Sequence, residues 1–576
     1  MRKNIVRRPP RDAAGLPRNL HPVLQRIYAA RDVRSARELE RSLAHLHPFT
    51  ALTGVGRAAE LLHDALAHQK RILIVADFDA DGATSCALAV RALRGFGASD
   101  VRYVVPDRFR FGYGLTPEIV EVAAQHEPDL IVTVDNGISS IDGVRAAQAR
   151  GIRVLVTDHH LPAAVLPAAD AIVNPNLPGD GFLSKSLAGV GVIFYVMVAL
   201  RTHLREAGWF DSRGLPEPNL ARLLDLVALG TVADVVTLDH NNRILVEQGL
   251  RRIRAGQSCP GVRALLEIAG RTPERLVAAD LGFVVAPRLN AAGRLEDMSL
   301  GIECLLSDDP QQARSMAARL DELNRDRREI EGQMREQAMM AIARLGLKED
   351  GNLPFGLCLF DAGWHQGVIG ILASRIKDRL HRPVIAFAPG ATEDELKGSA
   401  RSVTGLHIRD ALDAVAALHP GLISKFGGHA MAAGLSLPRR HLEAFRAAFD
   451  AEVRRHLTPE DLQGVVYSDG ELPAEDLGLE LALLLRDAGP WGQGFPEPVF
   501  DGVFQVLDRR IVGERHVKFT VRPAPDGPAL DAIAFNAAET AVYEGANLLR
   551  LAYRLDVNEY RGARAVQLVV EHMEPA

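Results

Sequence analysis

Three aspartates, Asp77, Asp79 and Asp81, stand at alternate positions directly after the apolar run 71–76. Three carboxylates this close together repel one another strongly unless a divalent cation neutralises them. A helix N-cap with acidic residues in its first turn is the alternative, and it explains one or two of the three. The spacing therefore favours a metal site.

Two further acidic clusters also follow short β-branched runs. They are Asp135-Asn136-Gly137, after 130–134, and Asp158-His159-His160, after 153–157. Each cluster alone is a weak signal, because an aspartate after a strand is usually a helix cap. Three such clusters at the ends of three strands of one sheet predict a common site. A fourth candidate, Asp234, follows the apolar run 220–228.

The side chains in these clusters indicate the class of chemistry. Carboxylates with one or two imidazoles and no thiolate favour Mn²⁺ or Mg²⁺ over structural zinc. Two such ions can activate a water and stabilise the leaving oxygen of a phosphodiester. The sequence contains neither a Walker A loop nor an activated Ser-His-Asp triad. Metal-assisted phosphoester hydrolysis is the predicted reaction.

The elements that must position these residues form an α/β pattern. Strand-like runs alternate with alanine-rich segments over 71–173, which predicts a parallel sheet covered on both faces. A second, smaller α/β segment covers 355–437. The stretch 311–345 is predicted to be a long helix connecting two lobes, with an amphipathic surface helix as the alternative. Five strand-like runs after residue 464 fit an OB-like barrel or another small β domain.

Cysteine usage, the basic start of the chain and the net charge indicate the cellular location and the kind of substrate. The four scattered cysteines indicate neither a disulfide framework nor a thiolate zinc site, and they fit a reducing cytosol. The basic start, residues 1–11, lacks the apolar core of a secretory signal, so we expect a cytoplasmic protein. The net charge of −6 is unusual for a nucleic-acid enzyme, but a metal site itself uses carboxylates.

The four motifs 77–82, 135–137, 158–160 and 230–234 resemble, in order, those of the DHH phosphoesterase family, which uses two divalent metals, usually Mn²⁺ or Mg²⁺. The resemblance implies that Asp79 and Asp81 each hold one metal and that Asp135 bridges both. His159 and Asp234 would complete the second site.

The resemblance also implies roles beside the metals. His160 would face the scissile phosphate, and Asp158 would orient the metal-bound histidine. Some relatives carry a metal-binding histidine four residues before the first ligand aspartate. Val75 occupies that position here, and Asp77 would partly take its place.

Further segments are similar to the RecJ family of single-strand-specific 5′→3′ exonucleases, which act in DNA recombination and repair. They are Pro287–Arg294, Trp364–Ile371, Gly398–Ser402, Gly427–Gly434 and Trp491–Phe500. The resemblance covers the chain from about Leu43 onward. It implies an N-terminal helical segment at 1–50, a DHH catalytic domain at 51–305, a connecting helix at 306–348, a DHHA1 domain at 349–456 and an OB-like nucleic-acid-binding domain at 457–576.

Several residues of these segments, and of 107–114, are candidates for holding DNA. Arg108 resembles a family residue that helps to hold the 5′-phosphate, and Tyr113 suits stacking on a base. Ser399 and Arg401 suit a terminal phosphate. The alternatives are surface arginines and a structural loop aromatic. The remaining candidates would contact DNA or pack between the lobes: Arg288, Asn290, Arg294 and His429. The glycines of 427–434 would approach an anion or form a packing turn.

The expected mechanism threads single-stranded DNA between two lobes, with the barrel adding contacts. Deletion from about Gly464 should then weaken DNA binding more than metal binding. The family implies a monomer that works with single-strand binding protein and a RecQ-type helicase. A small-substrate phosphoesterase is one alternative, opposed by the long β region and by Val75. An inactive DNA-binding scaffold is the other, opposed by the set of ligands present.

Overall fold

The computed structural model describes residues 3–106, 114–344, 353–523, 527–538, 546–560 and 562–576. Its strands are β1 Lys3–Arg7, β2 Ile72–Ala76, β3 Val101–Val104, β4 Leu130–Val134, β5 Arg153–Thr157, β6 Ala171–Val173, β7 Leu357–Phe360, β8 Val384–Pro389, β9 Glu395–Arg401, β10 Lys425–Gly428, β11 Ala432–Pro438, β12 Gly464–Ser468, β13 Phe500–Val512, β14 His516–Pro523, β15 Leu530–Ala534, β16 Leu548–Tyr560 and β17 Ala563–Pro575. Its helices are α1 Pro22–Ala30, α2 Val55–Ala67, α3 Ala80–Gly95, α4 Pro117–Ala124, α5 Ile141–Ala149, α6 Gly189–Glu206, α7 Trp209–Arg213, α8 Leu224–Ala233, α9 His240–Arg254, α10 Pro260–Ile268, α11 Ala278–Asp280, α12 Ala286–Leu295, α13 Ser299–Leu306, α14 Pro310–Arg344, α15 Ile369–Leu380, α16 Ile408–Leu418, α17 Leu442–His456 and α18 Leu479–Asp487.

The predicted parallel sheet is confirmed, in the order β3-β2-β4-β5-β6. Every residue of β2 and β4 is buried, as expected when helices cover both faces of a sheet. The edge strand β6 was not predicted, because its three residues are too few to show a period. The three acidic clusters follow β2, β4 and β5, which are adjacent, so they meet at one edge of the sheet.

The long connecting helix is also confirmed. The first half of α14 places Ala313, Ala317 and Leu320 in the core of the catalytic lobe. Its second half places Met334 and Ala338 in a separate core that includes α15 of the smaller lobe. An amphipathic surface helix would pack against one core, whereas α14 belongs to two and therefore joins the lobes.

The smaller lobe has a mixed sheet in the order β10-β11-β9-β8-β7. Strands β7 and β8 are parallel, and the other pairs are antiparallel. The C-terminal strands close into a barrel in the order β13-β14-β15-β17-β16. All five predicted strands are present, and closure supports the OB-like alternative over an open β domain.

The N-terminal segment begins with a strand, which adds to the helical segment expected there. Strand β1 pairs in parallel with β12, which leads into the barrel region. Arg31 forms two buried hydrogen bonds with Asp469, at 2.8 and 3.0 Å, and Tyr28 donates to the carbonyl of Ala488 at 2.9 Å. The two ends of the chain therefore fold together. Among the described helices, none combines the length and apolarity needed to cross a bilayer.

Candidate metal centre

The turn after β2 places two aspartates at the start of α3. Asp79 caps the helix, since its Oδ1 accepts the N–H groups of Asp81 and Gly82 at 2.9 and 3.0 Å. Asp81 is buried, and its two oxygens accept the N–H groups of Gly189 and Val190 at 2.7 and 3.0 Å. Capping of α3 accounts for one oxygen of Asp79, and the buried carboxylate of Asp81 instead holds the first N–H groups of α6.

The turn after β4 has a constrained backbone. Asp135 adopts a φ of +62°, in the left-handed region that few non-glycine residues occupy. The Asn136 amide holds this turn by donating to the carbonyls of Val134 and Val75, at 2.9 and 3.1 Å. Such strain persists where the surroundings enforce it, often at functional sites.

The turn after β5 orients the histidine pair. Asp158 is fully buried, and its Oδ1 accepts the N–H groups of His159 and His160 at 2.8 and 3.1 Å. The same oxygen lies 2.7 Å from Nδ1 of His160. Sequence reasoning did not identify Asn174 and Asn176, whose amides donate to the carbonyls of His160 and His159 at 2.9 and 2.6 Å. The Asn-Pro-Asn sequence after β6 was the available signal.

The potential ligand atoms form three groups, each with all its atoms within 4.8 Å of one another. Asp135 belongs to two of these groups, as a bridging ligand would. The groups are Asp77, Asp79 and Asp135; Asp81, His159 and Asp234; and Asp135, His159 and His160. The structure thus brings together every metal-ligand candidate derived from the sequence. Val75 packs in the sheet core, while Asp77 joins the ligand groups.

Burial and mutual repulsion dominate the electrostatics of the carboxylates. Burial, and then the neighbouring aspartates, raises the pKa of Asp135 and of Asp234 well above the ordinary value. Burial, and then Asp79, raises the pKa of Asp81 to about 7. A cluster of this kind is costly as a set of bare carboxylates and is stabilised by cations.

The two adjacent histidines have opposite pKa shifts. Burial, and then His160, lowers the pKa of His159 to about 4, so this ring is neutral at pH 7 and available as a ligand. Burial also acts to lower the pKa of His160, but its hydrogen bond and ion pair with Asp158 outweigh burial and raise this pKa to about 9. In the metal-free site, His160 is therefore a cation at pH 7.

The donor set fits divalent metals. Among the described residues, no group forms a hydrogen bond with the buried Nε2 of His159. This nitrogen lies 3.1 Å from Asp135 Oδ1 and 3.4 Å from Asp234 Oδ2, as expected of ligand atoms that converge on an ion. Carboxylate oxygens with imidazole and without thiolate suit Mn²⁺ or Mg²⁺.

Metal binding should strengthen with pH. Below about pH 7, Asp81 holds a proton that a divalent ion must displace, so binding releases protons. The raised pKa also means that the metal-free fold loses stability as the pH rises toward 7. We expect Mg²⁺ to raise the Tm of the catalytic lobe more at pH 8 than at pH 6. Equal shifts at the two pH values would contradict this electrostatic account.

The smaller lobe completes one side of the site. The ring of His429 lies 5.9 Å from the ring of His160, with an interplanar angle of 24°. Ser399 and Arg401 lie on β9, where Arg401 donates to Ser399 Oγ at 3.2 Å. Both side chains pack against Gly370, in the first turn of α15. A helix N-terminus beside a guanidinium and a hydroxyl can hold a phosphate.

The other DNA-contact candidates have different surroundings. Arg288 is buried and paired with Asp321 of α14 at 2.8 Å. Asn290 Oδ1 accepts the N–H of Ala80 at 2.8 Å, and Arg294 donates to the carbonyl of Gly367 at 3.1 Å. These contacts favour a packing role for the three residues. Arg294 reaches the smaller lobe, whereas Arg288 pairs with the connecting helix and Asn290 contacts the catalytic lobe itself. Two further candidates, Arg108 and Tyr113, lie outside the described residues.

Two glycines that sequence reasoning missed allow the ligands to approach. A Cβ on Gly189 would lie 2.6 Å from both Cβ and Oδ1 of Asp135. A Cβ on Gly230 would lie 2.7 Å from Oδ1 of Asp81. Both glycines belong to helices that pack against the site, α6 and α8, so only glycine lets these helices come this close.

Family models match three parts of the chain. Residues 71–231 match the N-terminal domain of the DHH family, residues 353–455 match the DHHA1 domain, and residues 468–572 match the RecJ OB domain. A crystal structure of RecJ from Thermus thermophilus in complex with Mn²⁺ is 30% identical, with a TM-score of 0.81, over 100% of this chain and 80% of that chain. The corresponding complex with Mg²⁺ has a TM-score of 0.75.

Curated relatives match the whole chain. The single-stranded-DNA-specific exonuclease RecJ of Dickeya dadantii is 58% identical over 572 residues, which is 99% of each chain. That of Escherichia coli is 56% identical over 573 residues, again 99% of each chain. Together with the DHH, DHHA1 and OB domains, these matches show that the chain belongs to the RecJ family of single-stranded-DNA-specific exonucleases.

Proposed function

We propose that this chain is a metal-dependent exonuclease that hydrolyses single-stranded DNA from its 5′ end to mononucleotides, in DNA recombination and repair. The observation that carries the proposal is the cluster of ligands sharing Asp135, faced by His160 and by His429 of the smaller lobe. Membership of the RecJ family supports the substrate class. Digestion of a long single-stranded oligonucleotide, compared with a dinucleotide, tests it against the small-substrate alternative.

The mechanism assigns the ligands to two ions. Asp77 and Asp79 would hold one ion, Asp81, His159 and Asp234 the other, and Asp135 both. When bound, Mn²⁺ or Mg²⁺ activates water and neutralises charge on the phosphodiester.

His160 supplies a positive charge beside the ions. Ionised Asp158 holds Nδ1 of His160, which leaves Nε2–H to donate to an oxygen of the scissile phosphate. When this oxygen is the leaving oxygen, its negative charge increases as the ester bond breaks. The protonated ring of His160 then stabilises the transition state more than the ground state.

Recognition of the 5′-phosphate by Ser399 and Arg401 would set the polarity. Arg401→Ala should reduce the preference for a 5′-phosphorylated over a 5′-hydroxyl oligonucleotide by about 10–100-fold, the range for a lost hydrogen bond to a charged group. The ratio of kcat/KM for the two substrates measures this preference. Arg440→Ala, which removes an exposed arginine of the smaller lobe that pairs with Asp394, serves as a control. An unchanged preference in Arg401→Ala would exclude this role.

The barrel is proposed to bind the strand away from the catalytic centre. Phe535 is 54% exposed after β15, and its ring centroid lies 5.2 Å from that of His516, with an interplanar angle of 76°. Lys518 lies on the same face of β14 as His516. An exposed aromatic ring is suited to stacking on a base of single-stranded nucleic acid, and the second and third strands of OB-folds commonly bind such strands.

Substitution of Phe535 tests this role of the barrel. Phe535→Ala should weaken binding of a long oligonucleotide by roughly 5–100-fold, because one stacked base is lost, and should leave dinucleotide cleavage unchanged. Fluorescence anisotropy would measure the binding. Deletion from Gly464 is a poorer test, because it removes the partner of β1 and exposes Arg31. Leu418→Ala, an exposed residue of the smaller lobe, is the matched control.

Other expectations from the sequence stay predictions. They concern single-strand binding protein and a RecQ-type helicase as partners, the monomeric state and the cytoplasmic location. The inactive-scaffold alternative is opposed by the complete ligand groups around Asp135.

A further inference from the structure

Helix α12 lies directly against the turn that carries two of the metal-ligand candidates. Asn290 Oδ1 accepts the N–H of Ala80 at 2.8 Å, and Ala80 separates Asp79 from Asp81. A Cβ on Gly293 would lie 2.0 Å from the carbonyl oxygen of Phe78. The helix therefore contacts the backbone on both sides of Asp79, and a shift of α12 would move this turn.

The C-terminal end of the same helix contacts the smaller lobe. Arg294 Nη1 donates to the carbonyl of Gly367 at 3.1 Å, and a Cβ on Gly367 would lie 2.5 Å from the carbonyl oxygen of Arg294. Gly367 lies two residues before α15. The backbones of the two lobes thus meet at this contact without an intervening side chain.

The contact lies three residues along the chain from the proposed phosphate site. A Cβ on Gly370 would lie 3.0 Å from Ser399 Oγ and 2.9 Å from a guanidinium nitrogen of Arg401. Gly370 is the second residue of α15, and Gly367 lies in the turn that leads into this helix. An anion held by Ser399 and Arg401 would therefore restrain the start of α15, next to the turn that Arg294 holds.

Asn290 and Arg294 act from one rigid element. They are four residues apart in α12 and therefore lie on one face of the helix. Leu289, Ala291 and Ala292 bury the opposite side in the catalytic core. A displacement at the Arg294 end is consequently transmitted to the Asn290 end, since a packed helix moves as a body.

We propose that α12 couples recognition of the 5′-phosphate to assembly of the metal site, with Asn290 and Arg294 as positioning residues. The proposal rests on the proposed function. A 5′-phosphate on Ser399 and Arg401 docks the smaller lobe, and Arg294 and Asn290 hold the Asp79–Asp81 turn in its metal-binding geometry. Coupling is reciprocal, so bound metal tightens phosphate binding by the same factor. The enzyme thereby binds its metals most tightly when a strand end is in place.

The test measures Mn²⁺ affinity by calorimetry on the full-length chain. The probe is a trinucleotide with a neutral methylphosphonate at its first linkage, which offers the metals no anionic scissile group and resists cleavage. Saturation with its 5′-phosphorylated form, relative to its 5′-hydroxyl form, should tighten Mn²⁺ binding by about tenfold, within the usual range for coupled sites. The coupling ratio is the Mn²⁺ affinity with the 5′-phosphorylated form divided by that with the 5′-hydroxyl form. Arg294→Ala and Asn290→Ala should each reduce this ratio to about one.

Two variants distinguish a specific loss of coupling from a nonspecific disturbance of the fold. Arg294→Lys keeps a cationic donor near Gly367 and should restore part of the ratio. Arg319→Ala removes a guanidinium that pairs with Glu296 just beyond α12, and it should leave the ratio unchanged. If Asn290→Ala does not fold, Arg294→Ala still decides the question.

A ratio near one in the unaltered chain would overturn the proposal, as would an unchanged ratio in Arg294→Ala. Either result can occur in a chain that digests single-stranded DNA, so failure of the coupling is distinct from failure of the proposed function. Absence of digestion by the unaltered chain would instead contradict the proposed function.

Discussion

Asp135→Asn is expected to lower kcat by about 10³-fold or more, equivalent to roughly 4 kcal/mol of transition-state stabilisation. Asp135 groups with Asp77 and Asp79 and also lies 3.1 Å from Nε2 of His159, so its loss affects both proposed ions. Asparagine suits this position because it tolerates the φ of +62° and has nearly the same shape. The substitution therefore removes a charge and leaves the turn intact.

The same substitution should stabilise the metal-free protein. Burial and four neighbouring aspartates raise the pKa of Asp135, so its ionised form is disfavoured in the metal-free site. In EDTA at pH 8, we expect Asp135→Asn to raise the Tm of the catalytic lobe by roughly 3 °C. Asp142→Asn, on the exposed surface of α5, should change neither kcat nor the Tm in EDTA. A large loss of Tm in EDTA would mean that Asp135 has a structural role instead.

Gly189→Ala is expected to weaken Mn²⁺ binding by about 10–100-fold or more, the range for lost support around a metal ligand. The added Cβ would lie 2.6 Å from Asp135, a distance that real Cβ atoms do not adopt, so Asp135 or α6 must move. Movement of α6 also shifts the N–H groups that hold Asp81. No charge and no ligand atom is removed, so the loss would come from geometry alone.

A matched glycine separates this effect from a general effect of alanine. Gly56 lies in α2, and a Cβ there meets no atom within 4 Å. Gly56→Ala should keep full Mn²⁺ affinity and gain up to about 1 kcal/mol of stability from helix propensity. Unchanged Mn²⁺ affinity in Gly189→Ala, measured by calorimetry, would show that the site does not need this close approach.

The three acidic clusters could be predicted from sequence because each follows a strand that is easy to identify, whereas Asp234 follows helix α8 and its role came from the family resemblance. Strands β2, β4 and β5 are short apolar runs, and parallel strands bring their carboxyl ends to one edge. The connecting helix and the barrel strands were predictable for a similar reason, since their periods extend over many residues.

Contacts that depend on long-range packing left no local signal. The N–H groups that hold Asp81 come from Gly189 and Val190, more than a hundred residues away. The pairing of β1 with β12 joins segments more than four hundred residues apart. The buried ion pair of Arg288 with Asp321 likewise depends on how α12 packs on α14, which neither segment encodes alone.

Digestion of a long single-stranded oligonucleotide carrying a label at its 5′ or 3′ end measures the metal dependence and the direction of hydrolysis together. With Mn²⁺ or Mg²⁺, we expect the 5′ label to be released at once as a mononucleotide, while the 3′-labelled strand shortens progressively. Asp79→Ala and Asp135→Asn should abolish both changes. Release of the 3′ label first, or no cleavage by a folded protein with bound metal, would exclude metal-dependent 5′→3′ hydrolysis by this chain.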